Sequence, residues 1–188
     1  MSANPTRREL LLSLASLAAF GAPAAAIEAP PGSARYLLEV IFFRLNGANP
    51  PAMPAPPLAV ATTIPGRIEV LGEDGWQLAS AEAALKASAS FTPLAHLLLA
   101  AVVPQNGRTT AKLEELLAPG TPLAGSIAIQ RSQYLFLAVD VDYQSPEGAL
   151  YPLRERRRLK FGETHYFDHP AFGLIVRVTA PRGTQAND

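Results

Sequence analysis

Gly125-Ser126-Ile127-Ala128-Ile129-Gln130 and Gln133-Tyr134-Leu135-Phe136-Leu137-Ala138-Val139-Asp140-Val141-Asp142, joined around Arg131-Ser132, decide the fold. Both runs are rich in β-branched and aromatic residues and the link is short, so they read as an antiparallel hairpin. Successive strand residues point to opposite faces. Leu135, Leu137, Val139 and Val141 therefore share one face, with Asp140 and Asp142 on the other.

Downstream, Gln144 to Gly148 is a turn, and Tyr151 to Leu159 returns as a strand of alternating charge. An aromatic turn follows, and the last strand runs from Leu174 to Thr179. Upstream, Lys112 to Leu117 is a helical turn ended by Pro119-Gly120, and Pro104 to Gly107 is a turn. Leu94 to Val103, with His96 inside it, is apolar enough for either a buried strand or a short helix. Ser80 is placed to cap a helix whose Ala81, Ala84, Leu85 and Ser88 fall on one face, small enough to approach a sheet closely. Arg67 to Leu71 is a short strand, closed by Gly72 and Gly75.

Tyr36 to Phe43 is the first strand, ended by Asn46-Gly47. Glu39 alternates with apolar neighbours there and marks a partly solvated face. Residues 47–65 carry Pro50, Pro51, Pro54, Pro56, Pro57 and Pro65 and read as an extended loop inside the domain. Short connections imply antiparallel pairing. The expected fold is a single α+β domain, mainly antiparallel sheet with one or two helices on one face. A ferredoxin-like split βαβ sheet with additions is one candidate for it. No internal repeat is visible.

The N-terminus reads as an export signal. Arg7 and Arg8 precede an apolar run from Leu10 to Phe20, and Ala24-Ala25-Ala26 offers a small-residue cleavage site. The run is shorter than the ~20 residues of a membrane span, so the mature form is expected to carry no transmembrane anchor. Glu9 and the missing phenylalanine favour the general secretory route over the twin-arginine route. The expected organisation is a signal over 1–26, a linker over 27–35, the domain over 36–180 and a disordered tail over 181–188. The expected location is the periplasm.

Sixteen basic residues balance sixteen acidic ones, which gives no electrostatic case for nucleic-acid binding. Cysteine is absent, which excludes disulfides, thiolate nucleophiles and a lipoprotein anchor. No P-loop, G-x-G-x-x-G, H-E-x-x-H or G-x-S-x-G motif occurs, and no cofactor is expected.

Candidate binding residues concentrate in Arg154-Glu155-Arg156-Arg157-Arg158-Leu159-Lys160-Phe161-Gly162-Glu163-Thr164-His165-Tyr166-Phe167-Asp168-His169. Alternation puts Arg154, Arg156, Arg158 and Lys160 on one side of a strand, with Arg157, Leu159 and Phe161 on the other. Such a row is either a solvated edge that discourages pairing or a clamp for carboxylates and phosphates. His165-x-x-Asp168-His169 offers three metal-ligating types that His96 or Asp142 would have to complete. The same run with Glu163 could serve acid–base chemistry. Alternatively the histidines and Asp168 bind turn backbone while Tyr166, Phe167 and Phe172 enter the core. Arg156, Arg158, Lys160, Glu163, His165, Tyr166, Asp168 and His169 are the binding candidates, and none is assigned to catalysis or a metal. Trp76 reads as a core residue or staple unless it stands exposed beside the basic row.

Leu38-Glu39-Val40-Ile41-Phe42-Phe43-Arg44, Leu94-x-His96, Gly125-x-Ile127 leading to Tyr134-Leu135, and the run from Arg157 to Gly173 together resemble the peptidoglycan-binding CsiV family, over roughly Tyr36 to Thr179. The resemblance implies a non-enzymatic periplasmic protein that binds peptidoglycan and supports cell-wall synthesis. Its implied partners are a penicillin-binding protein or the lipoprotein activator of one. An adaptor that meets only protein partners is the alternative, and a metal-dependent enzyme using the His-x-x-Asp-His run a third. The sequence departs from the family pattern at Phe136, where a histidine is expected, and at Ala100 to Val102, where a tryptophan is expected.

Overall fold

The computed structural model describes residues 31–48, 50–51 and 67–179. In chain order these form β1 (Ala34–Leu45), β2 (Ile68–Leu71), a 3-10 turn (Glu73–Gly75), α1 (Ala79–Ala87), β3 (Phe91–Val103), β4 (Arg108–Lys112), α2 (Leu113–Leu116), β5 (Leu123–Arg131), β6 (Leu135–Gln144), β7 (Leu150–Leu159), β8 (Thr164–Asp168) and β9 (Phe172–Thr179). The signal, most of the proline-rich loop and the tail lie outside the described residues. β1 already begins within the stretch expected to be linker.

The hairpin is β5–β6, with Ile127 opposite Val139. Burial along β6 alternates at every residue, as its pattern demands. β4 and β7 extend it to a four-stranded sheet ordered β4-β5-β6-β7. The other strands make a five-stranded sheet, β2-β3-β1-β9-β8. The apolar face of the hairpin is covered by this first sheet: Leu137, Val139 and Val141 share one core with Leu38, Val40, Phe42, Leu174 and Val176. β1 lies mid-sheet between β3 and β9, which explains its nearly continuous apolar run. One face enters the inter-sheet core, and on the other Ile41, Phe43 and Ile175 pack against Leu78 and Leu85 at α1.

The mainly antiparallel α+β expectation holds, but the ferredoxin-like candidate does not fit. Every described pairing is antiparallel and the strands divide between two sheets, whereas a βαβ unit needs parallel strands. Nor do the helices share a face. α1 covers the outer side of the first sheet, while α2 drops Leu113 into the inter-sheet core. Leu94 to Val103 is strand throughout, and it extends back to Phe91. Thr164–Asp168, expected as part of a turn, is the edge strand beside β9.

Glu39 is buried rather than partly solvated, at 3% exposure. Its carboxylate accepts the backbone N–H groups of Gln77 (2.8 Å) and Leu78 (2.9 Å) and contacts His96 Nε2 at 2.8 Å. This is the cap that Ser80 was expected to supply: Ser80 lies exposed within the first turn, and no side chain of the cap residue itself closes the helix. Glu82 Oε2 stands 3.2 Å from His96 Nδ1, and Trp76 stacks on the imidazole at 3.6 Å. Burial pushes the Glu82 carboxyl up, but hydrogen bonds from Lys86 and His96 outweigh it and hold the group below its usual 4.5. Ala84, expected on the packed face, is exposed, because Leu78, Ala81 and Leu85 meet the sheet instead.

Candidate functional site

The connection between β5 and β6 is tight. Ser132 N–H donates to the Tyr134 carbonyl at 2.9 Å, and this leaves the Tyr134 ring standing at the surface. β7 runs back along β6 with Arg158 opposite Phe136 and Arg156 opposite Ala138. The Arg158 guanidinium lies over the Tyr134 ring at 3.5 Å. Arg156 lies over Phe136 at 3.8 Å and donates to Gln130 Oε1 at 3.1 Å. Such stacking holds a guanidinium in place while leaving its edge N–H groups open to a ligand.

Past β7 the chain turns at Gly162, whose φ of +74° favours glycine and whose N–H donates to the Val178 carbonyl at 2.9 Å. The turn presents Phe161, half exposed, stacked on Tyr36 with ring centroids 6.0 Å apart and planes within 8°. Lys160 Nζ lies 3.3 Å from Glu163 Oε1, and Lys160 N–H donates to His165 Nε2 at 3.1 Å. Together Tyr36, Tyr134, Arg158, Lys160, Phe161 and Arg131 wall a cleft of about 400 Å³ at the end of the sandwich where β1 begins. Aromatic faces next to cations suit a ligand that carries both apolar ring surface and carboxylates.

The expected site residues divide. Arg158 and Lys160 line this cleft, Glu163 and His165 brace its turn, and Arg156 stands one step along the same face of β7. Lys160 lies beyond the strand end rather than in the row. Tyr166 and Asp168 project from the edge strand opposite Ile175 and Gly173, on the α1 side of the first sheet. Tyr166 is exposed and does not enter the core, whereas Phe167 and Phe172 do. His169 sits at the far end of β8, where its Nδ1 accepts the Ala171 N–H at 3.1 Å and its ring packs near Phe172. Burial pushes the His169 imidazole below its usual 6.5, opposed by Asp168.

His165 and His169 thus occupy opposite ends of one strand. His96 is engaged with Glu39 and Glu82, and Asp142 pairs with Arg154 at 2.6 Å. Among the described residues no group of three or more metal-ligating side chains converges. Trp76 lies on the α1 side, away from the basic row. Tyr36, Tyr134, Phe161 and Arg131 were not singled out as site residues. The exposed aromatics beside tight turns, Tyr134 and Phe161-Gly162, were the available signal.

A family model described as peptidoglycan-binding protein, CsiV, matches residues 65–181, more than half of the chain. The chain belongs to the CsiV family. The CsiV match takes in every cleft residue except Tyr36, and it is narrower than the expected span because β1 falls outside it. No curated protein and no solved structure matches the chain. Phe136, at which the resemblance led to the expectation of a histidine, gives Arg156 a ring to lie on.

Proposed function

We propose that this CsiV-family protein acts in the periplasm as a non-enzymatic peptidoglycan-binding module that supports cell-wall synthesis. Residues 1–26 direct its export and are then removed. A cell-wall synthase of the penicillin-binding class, or its lipoprotein activator, is the protein partner this reading implies. The observation that carries it is the cleft itself, where the exposed rings of Tyr134 and Phe161, the latter backed by the buried Tyr36, stand beside Arg158 and Lys160. Sugar rings find stacking surface there, and the carboxylates of wall peptides find guanidinium and ammonium groups.

Sedimentation with purified sacculi tests the reading. The wild-type protein is expected in the pellet at physiological salt, and Arg156→Glu combined with Arg158→Glu is expected to lower the bound fraction at least about tenfold, since each reversal replaces attraction with repulsion. Wild-type protein that stays soluble, or a charge-reversed variant that pellets equally well, would overturn it.

A further inference from the structure

A cluster of hydrogen-bond donors stands on the outer face of the second sheet, the face turned away from the inter-sheet core. Thr109 is fully buried and its Oγ1 donates to the Val102 carbonyl at 2.7 Å, so β4 turns the neighbouring Arg108 the opposite way, outward. Arg108 is directly opposite Gln130 on β5, and Gln130 is directly opposite Phe136 on β6. Residues so paired have Cβ atoms about 4.5–5.5 Å apart, which puts Arg108 and Gln130 side by side. Arg156 reaches across from β7: its guanidinium lies over the Phe136 ring and donates to Gln130 Oε1 at 3.1 Å.

Gln130 thus has a guanidinium on either side. With its oxygen turned to Arg156, its amide N–H groups remain as open donors. The carboxylates nearby are engaged elsewhere. Asp140, one step along this face from Arg156, and Asp142 both hold Arg154, and Glu155 holds Arg157. Among the described residues neither Arg108 nor Arg156 has a carboxylate within ion-pair distance. The Nε of Arg108 is buried and has no acceptor among them. A buried donor left unpaired costs free energy that an incoming acceptor restores.

We propose that Arg108, Gln130 and Arg156 form a binding site for the phosphate group of a phosphomonoester. The planar guanidiniums match phosphate oxygens with paired N–H groups, and the Gln130 amide supplies a further donor. A phosphomonoester carries a charge of roughly −1.5 to −2 at neutral pH, which suits two cations better than a single carboxylate does. Neither Arg108 nor Gln130 lines the aromatic cleft, so this site stands or falls separately from wall binding.

Two probes test the assignment on the chain freed of residues 1–26, whose apolar run would itself bind lipid. One is calorimetric titration with glycerol 3-phosphate, and the other is flotation with phosphatidylcholine vesicles that contain phosphatidic acid. Binding of glycerol 3-phosphate assigns the site to soluble phosphate esters, and binding of the vesicles alone assigns it to a lipid headgroup. Arg108→Gln and Gln130→Glu are each expected to weaken the bound probe at least about tenfold, through loss of a charged hydrogen bond or gain of a like charge. Both variants are expected to pellet with sacculi as wild type does. Inorganic phosphate is expected to displace the probe at a concentration at least about tenfold below that of acetate. No binding of either probe, or acetate competing as well as inorganic phosphate, would overturn the site even if Arg108→Gln folds poorly. So would a Gln130→Glu protein that binds as wild type, and loss of sacculus pelleting in both variants would overturn its separateness.

Discussion

Glu39 ties together parts of the chain that are distant in sequence. Its carboxylate satisfies two backbone N–H groups ahead of α1 and faces His96 from β3, with the Glu39 and His96 side chains both buried. Removing one partner of a buried network leaves the others unsatisfied, which costs more than the net worth of the contact. Glu39→Ala is therefore expected to lower the unfolding free energy by about 3 kcal/mol in urea denaturation, and Glu39→Gln by less. A loss within about 1 kcal/mol would show the clamp to be incidental. His169 offers a second test at this scale. Its Nδ1 must stay unprotonated to accept the Ala171 N–H, and burial keeps the folded-state pKa below the usual 6.5. Between that depressed value and 6.5 the unfolded chain holds more protons than the folded one. The contribution is fully present above 6.5 and is lost as pH falls through the window. Comparing wild type with His169→Gln by denaturation from about pH 5 to about pH 7.5 should show a shallower low-pH loss in the variant. Parallel curves would remove His169 from the account.

At the scale of elements, β5 depends on Gly125. Its φ is +110°, and a Cβ there would lie 2.2 Å from the Asp140 carbonyl oxygen across the β5–β6 pair. Gly125→Ala is expected to cost at least about 2 kcal/mol, read as a lowered thermal midpoint, because both the backbone conformation and the partner strand resist it. An unchanged midpoint would mean that the pairing shifts without cost. Of the strands legible in the sequence, β1, β5, β6 and β9 carry period-two or continuous apolar runs, whereas β2 is a short β-branched stretch and β7 a strand of alternating charge. β4 was missed because Arg108-Thr-Thr-Ala-Lys112 has no apolar alternation of its own, and its buried residues are only Thr109 and Ala111. β8 was read as a turn because only Phe167 of its five residues is buried. The burial of Glu39 was not legible either, since its partners at Gln77, Leu78 and His96 come from far along the chain. For the site, the arginines of β7 were readable as a row. The aromatics that complete the cleft could be joined to them only once β1, β6 and the Gly162 turn were brought to one end.

At the scale of the molecule, the sandwich separates two chemically different ends. Arg157 helps close one long side: its guanidinium donates from β7 to the Tyr166 carbonyl on β8, lies 5.1 Å from the Phe167 ring and pairs with Glu155. Tyr36 at the aromatic and basic cleft and Arg44 at the opposite end of the sandwich belong to the same strand. At the usual rise per residue they are roughly 26 Å apart, beyond the distance at which substitutions couple. Arg158→Glu is therefore expected to lower sacculus binding, and Arg44→Gln to leave it unchanged. Salt should act on the cleft cations as well. Arg158 and Lys160 are exposed, whereas Arg44 is half-buried at the mouth of the core. The screening length shrinks from about 10 Å at 0.1 M salt to about 3 Å at 1 M, and it acts mainly on exposed charges. Raising salt over that range should weaken sacculus binding. Sacculus binding unchanged by salt would mean that the exposed Arg158 and Lys160 do not carry it.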